Sequence, residues 1–111
     1  MSDHIMQVKS LLMDIECELR VLGLWEDDTP SAEALASVEP FAVDTLSFSQ
    51  WLQFIFVPKM YFIIEQKITL PTNCQIAPMA EESFAQSNIP ALALIQHLRK
   101  LDLLLTNQTL L

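Results

Sequence analysis

The amino-acid sequence predicts an all-α fold: a single compact helical bundle of about four helices with a proline-kinked central helix, occupying residues 1–111 as one domain. Three observations predict it. Apolar residues recur at steps of three and four near both ends of the chain, the spacing that lines one helical face. One glycine in 111 residues leaves little material for tight β-hairpins. The most apolar stretch, QWLQFIFVPKMYFII from Gln50 to Ile64, follows a helix-capping sequence and is interrupted by Pro58 and Lys59.

Each element follows from its residues. Ile5, Val8, Leu12, Ile15, Leu19 and Leu22 line the inner face of a first helix, which Ser2 or Asp3 caps and Gly23 ends in a left-handed conformation. Cys17, between Glu16 and Glu18, is expected at the border of the core. Glu26, Asp27 and Asp28 then form an acidic turn before Thr29 and Pro30, read as the cap and first position of a short helix. Trp25 and Phe41 bracket this connector and are expected to pin it to the bundle, because a long loop needs apolar anchors to be ordered.

The central helix is expected from Ser47 to about Gln66. Ser47 and Gln50 match a capping box, and Ser49, Gln50 and Gln53 form a polar side that vanishes further on. Two explanations fit the loss: burial all round after the first turns, or a kink at Pro58 that resets the inward face. Proline there removes the usual partner of the Phe54 carbonyl, while Lys59 can lay its stem on apolar surface and keep its ammonium in water. Leu70 to Asn73 end this element. A short helix follows, with Pro78 at its first position and Glu81 and Glu82 in its first turn. Asn88 or Ser87 caps a last helix whose inner face carries Ala91, Leu94, Ile95, Leu98, Leu101 and Leu105, with His97, Arg99, Lys100 and Asp102 mostly on the outer face.

Composition excludes several functions. Formal net charge is −8, and the six Lys and Arg are scattered, so there is no basic patch for a phosphate backbone and no direct nucleic-acid binding is expected. The acidity suits either solubility or a basic protein partner. Cys17 and Cys74 lack the short spacing of zinc or redox motifs. The N-terminus lacks the basic and apolar regions of a secretory signal, and Trp51 to Ile64 falls short of the ~20 residues a bilayer crossing needs, so a cytoplasmic protein without a membrane span is expected. A single glycine rules out glycine-rich phosphate loops and nucleophile elbows, and His4 and His97 read as two solvated histidines. No catalytic, cofactor or metal residue is therefore expected. Asp44 and Glu81 are the carboxylates to inspect for a shared acid–base role. The rings of Trp51 and Tyr61, with Asp44, Gln53, Lys59 and Glu81, form the candidate partner-binding set, because aromatic and soft side chains are enriched at interfaces. The alternative is that the aromatic residues are simply core.

The order Pro40-Phe41, Asp44-Thr45, Gln50-Trp51-Leu52-Gln53, Pro58-Lys59-Met60, Leu70-Pro71, Ala77-Pro78 with Glu81, and Leu101-Asp102 resembles the YqcC-like proteins of gammaproteobacteria, a small domain of unknown function. The resemblance spans nearly the whole chain and is most specific from Pro40 to Met60. It implies an all-α, bundle-like fold. It also implies an accessory role in tRNA modification, because such genes commonly neighbour that of a tRNA pseudouridine synthase. The sequence departs from the usual pattern in neutral Gln50, where an acidic residue is common, and in Lys59, where arginine is common.

Two functions are expected on these grounds. The first is a non-enzymatic module that docks a basic protein, a tRNA pseudouridine synthase, through the loop around Asp44 and the ends of the central helix. The second is a small-molecule binder or enzyme with a pocket between the kinked helix and the segment from Ala77 to Glu81. Nothing in the sequence specifies an oligomeric state.

Overall fold

The computed structural model describes residues 2–71 and 75–107. Its helices are α1 (Ser2–Val21), the single turn α2 (Ala32–Leu35), α3 (Phe48–Trp51), α4 (Val57–Glu65), α5 (Ile76–Ser87) and α6 (Leu92–Asn107). A π-helical stretch, Leu52–Phe56, joins α3 to α4, so residues 48–65 form one central rod. No strand occurs among the described residues. Glu16 of α1 meets Tyr61 of α4, whereas Glu26, just beyond α1, meets Gln53, so α1 and the rod run antiparallel. Phe48 packs on Phe84 at one end, and Met60 shares a depression with Ile76 further along, so α5 reverses again. Ile76 meets Asp102 and Glu81 meets Arg99, which sets α6 antiparallel to α5. The architecture is an up-down-up-down bundle closed by α1 against α6.

The core is the one that the helical periodicity lays out. Val8, Leu12, Ile15 and Leu19 of α1, Leu52, Phe56, Met60 and Ile63 of the rod, and Leu94, Leu98, Leu101 and Leu105 of α6 are buried together. Large side chains of this kind contribute roughly 1.5–3 kcal/mol each when removed from water. Gly23 ends α1 at φ 73°, as expected, and the amide of Leu24 reaches back to the carbonyl of Leu19 at 2.8 Å. The start of α1 falls on Ser2 and Asp3, whose side chains lie outside the described residues. Cys17 is exposed rather than at the core border, because Ile15 and Leu19 take the inward positions on either side. Cys74, Thr72 and Asn73 are also outside the described set.

The distortion at the proline is resolved one turn upstream. The N–H of Val57 bonds to the carbonyl of Leu52, a π-type step, and both flanking residues keep helical torsions. Leu52, Phe56 and Met60 are buried at two successive steps of four. In a regular α-helix two such steps rotate a side chain about 80° around the axis; the wider turn removes most of that drift. The polar residues expected on a wet side turn out otherwise. Ser49 and Gln53 are buried, Gln53 against Glu26 of the connector, and the exposed face instead carries Pro58, Lys59, Phe62 and Glu65.

Helix starts also differ from expectation. The helix in the connector begins at Ala32 and is capped by Ser31, whose Oγ accepts from the amide of Ala34 at 3.1 Å, not by Thr29. α5 begins two residues before Pro78, which places that proline third and moves Glu81 and Glu82 into the second turn. Its free amides are served from across the bundle: Ile76 and Ala77 donate to the two carboxylate oxygens of Asp102 at 3.0 and 2.8 Å. The third position needs no acceptor, because Pro78 has no N–H. Asp102 is thus half-buried and structural, not an outer-face residue. Asn88 adopts the left-handed conformation, φ 60°, that terminates α5 instead of capping α6.

Candidate functional site

The connector carries the least regular backbone. Phe41 and Ala42 are successive left-handed residues at φ 58° and 49°. Bulky residues in that region are strained by about 1–3 kcal/mol each and persist only where their surroundings hold them. Here Ala42 is buried and its carbonyl accepts from Thr45 and Leu46 at 3.0 and 2.9 Å. The Phe41 ring meets Trp51 edge-on, with centroids 4.8 Å apart, and Phe48 at 6.2 Å. Thr45 Oγ1 donates to the carbonyl of Ala34, tying the strained turn to α2.

Gln53 holds the other end of the connector. Its Oε1 accepts from the amide of Glu26 at 2.9 Å and its Nε2 donates to the carbonyl of the same residue at 2.7 Å. With Gln53 only 6% exposed, the two bonds give both polar atoms of the buried amide a partner. Gln50 adds a bond from Nε2 to the Glu26 carboxylate at 3.2 Å while its Oε1 closes the capping box on Ser47. The acidic turn from Glu26 to Asp28 therefore stands on a fixed base.

The six residues singled out in the sequence separate into different places. Asp44 lies on the exposed connector, where it accepts from the Ser37 hydroxyl and braces the loop. Glu81 pairs with Arg99 at 2.8 Å across the α5–α6 seam, so Asp44 and Glu81 have separate partners. Trp51 belongs to a ring cluster with Phe41, Phe48 and Phe56. It also lines a depression of about 330 Å³ with Lys59, Met60, Gln75 and Ile76, between the rod and the start of α5. Gln53 and Tyr61 line a different groove of about 410 Å³ on the α1 side, with Glu16, Trp25, Phe54, Val57 and Pro58.

In that second groove the Tyr61 hydroxyl donates to Glu16 Oε2 at 3.0 Å. Burial first, and then the hydrogen bond and the charge of Glu16, push the phenol up to about 12 from its ordinary value of 10.0. Trp25 carries the guanidinium of Arg20 4.1 Å from its ring centroid. The two histidines are half-buried rather than solvated, and Nε2 of His4 and Nδ1 of His97 have no hydrogen-bond partner. Among the described residues no group of three or more His, Cys, Asp or Glu is placed to hold a metal ion. No helix among them is long and apolar enough to cross a membrane.

One charge feature escaped sequence reasoning that looked only for basic clusters. From Val21 to Pro58 the chain has Glu26, Asp27, Asp28, Glu33, Glu39 and Asp44, and no Lys, Arg or His at all. All six carboxylates lie on the connector between α1 and the rod, and none on the stretch of the rod from Phe48 to Pro58.

These features define a class: an all-α, four-rod bundle with grooves on both flanks of its central rod and an acidic, braced connector at one end. The family model described as tRNA pseudouridine synthase C matches residues 7–104, and the chain belongs to this YqcC-like family. The solution NMR structure of YqcC from Escherichia coli matches with a TM-score of 0.83 at 32% identity, covering 98% of this chain and 92% of that one. A Haemophilus influenzae protein called uncharacterized is 38% identical over 82 residues, 74% of this chain and 77% of that protein. A tRNA pseudouridine synthase C of Pectobacterium carotovorum is 40% identical over 67 residues, 60% of this chain but only 18% of that protein.

Proposed function

We propose that this chain is a non-enzymatic accessory module that docks a tRNA pseudouridine synthase and assists tRNA pseudouridine synthesis in the cytoplasm. One observation carries the reading. The stretch similar to this chain makes up 18% of the Pectobacterium carotovorum protein named as such a synthase, leaving more than four-fifths of that polypeptide for other parts. A bundle joined covalently to a longer chain in one organism is a natural partner of that longer chain where the two are separate. The docking face is the acidic end of the molecule, around Asp44 and the ends of the central rod, since complementary charge accelerates encounter with a basic protein. Trp51, whose ring meets Phe41, stands at that end, whereas Lys59 lies further along the rod and Glu81 on the α5–α6 seam.

The experiment is copurification of the tagged chain with a tRNA pseudouridine synthase from a native lysate, joined to a synthase assay. Stoichiometric recovery of the synthase, weakening as salt rises, is the expected result. Recovery of no synthase, together with equal pseudouridine formation by the purified synthase with and without this chain, overturns it.

The depression beside Lys59 favours a second reading, a small-molecule binder. Its walls are apolar, with one ammonium and the Gln75 amide at the edge, which suits a small apolar acid. A thermal-shift screen of such acids checks it: a rise in Tm that Lys59→Ala abolishes supports the pocket, and no rise removes it.

A further inference from the structure

The groove between α1 and the rod has a composition of its own. Three aromatic rings, Trp25, Phe54 and Tyr61, wall it together with the carboxylate of Glu16, and no cationic residue lines it. Phe54 is half-buried yet stands outside the core cluster that takes in Trp25 and Tyr61. A ring with a face left over beside a carboxylate offers two attractions to the same kind of group: the negative face of the π system and a full negative charge. The neighbouring turn adds Glu26, Asp27 and Asp28, all exposed, and Gln53 fixes that turn to the groove's edge.

One of these rings, Trp25, already carries a guanidinium. Arg20, which is not a wall of the groove, lays its guanidinium 4.1 Å from the Trp25 centroid. Guanidinium is planar, stacks on aromatic faces and meets a carboxylate through two parallel N–H bonds, and it is less strongly hydrated than ammonium. Tyr61 engages one oxygen of Glu16 and so holds the carboxylate at the groove wall.

We propose that this groove receives an arginine side chain presented by a partner protein, its guanidinium lodged between Glu16 and the rings of Trp25, Phe54 and Tyr61. The proposal deepens the docking reading and rests on it for the partner being a protein. It moves the specific contact away from Asp44, to the α1 side of the rod, and leaves the acidic connector as the surface that attracts the basic segment.

The test is a titration of the isotopically labelled 111-residue chain with an acetylated, amidated peptide of alternating arginine and leucine. The same peptide with citrulline in place of arginine keeps the shape and removes the charge. Saturable shifts of the Trp25 indole N–H and of the Phe54 and Tyr61 amides are expected with the arginine peptide and not with citrulline. Glu16→Gln, which can still accept the Tyr61 bond, should weaken binding on the order of 10-fold, as expected for the loss of one charge-assisted pair. Phe54→Leu keeps apolar volume while removing the π face, and should weaken the arginine peptide by a few-fold. Equal binding of the citrulline peptide, no saturable shift, or shifts confined to the depression around Lys59 would each overturn the proposal. Copurification separates the two levels. A Glu16→Gln, Phe54→Leu double variant that captures the synthase as well as the unaltered chain does sinks the groove and keeps the docking reading. An unaltered chain that captures none sinks the docking reading, and the titration still decides the groove.

Discussion

At the start of α5 one carboxylate, Asp102, meets two backbone N–H groups; at the start of the connector one amide, Gln53, meets one N–H and one carbonyl. All four bonds join partners 25 to 27 positions apart in the chain. The chemistry of each side chain matches the backbone it serves. A helix start presents only donors, so an acceptor-only carboxylate satisfies two of them. Glu26, outside any helix, presents its donor and its acceptor to the same side chain, and a carboxamide is the side chain that carries both kinds of group. Irregular backbone in a bundle is thus held by polar side chains chosen for the direction of the backbone groups, not for charge alone.

Substitutions that exchange the two chemistries break this correspondence. Gln53→Glu has the largest expected effect. At neutral pH it sets a carboxylate against the Glu26 carbonyl in a buried position, at a cost of about 3 kcal/mol. Its sign with pH is distinctive, because a protonated carboxyl has one donor and one acceptor and mimics the amide. The folded-state pKa of the new group lies above its unfolded value, so the lost stability returns below the unfolded pKa and disappears as pH rises through the folded one. Urea unfolding at pH 4 and pH 7 measures the difference; equal costs at both would show that the amide is not needed as a paired donor and acceptor. Asp102→Ala comes next, at about 2 kcal/mol, since it leaves the amides of Ile76 and Ala77 without acceptors. Hydrogen exchange at the first turn of α5 should accelerate while that of α1 does not.

Asp102→Asn is milder, because the new amide keeps one acceptor and has the donor and acceptor pattern of the protonated carboxyl. Here the pH sign sharpens the comparison. Burial pushes the Asp102 carboxyl up from 3.8, against the opposing bonds from Ala77 and Ile76. A folded pKa above the unfolded one means stability that is full below the unfolded value and lost as pH rises through the folded value. The stability of the parent chain relative to Asp102→Asn should therefore fall as pH rises across the carboxylate range. A relative stability of the parent that rises instead would mean that the two N–H bonds outweigh burial at this site.

Periodicity made the four rods legible, and local chemistry made the Ser47 capping box and the Gly23 stop legible, because both act within four residues of themselves. Asp102 and Gln53 were not legible in their true roles. Each sits in an ordinary helical pattern, and nothing local marks a partner 25 or more residues away. The misplaced starts have the same origin. Pro78 suits a first helical position, but the third position also lacks an intrahelical acceptor, and Asp102 decides between them. The candidate site was half legible. Gln53 and Tyr61 share a groove, whereas Glu16, Trp25 and Phe54 join them only through the antiparallel packing of α1 on the rod.

A third long-range bond, Tyr61 to Glu16, links the same two elements at a half-exposed position and should show the smallest effect on stability. Its readout is spectroscopic. Tyr61 is the only tyrosine in the chain, so phenolate absorbance reports on it alone. Ionisation should be centred at about 12, above the ordinary 10.0, with burial the first cause and Glu16 the second and third. The folded phenol is the weaker acid, so this group's contribution is complete below the unfolded value and is lost as pH climbs through the folded one. Glu16→Gln removes the charge and keeps an acceptor, which should lower the midpoint without returning it to the free value, because burial is untouched. A midpoint that does not move on this substitution would separate Tyr61 from Glu16 in solution. It would also take away the contact that holds the carboxylate at the groove wall.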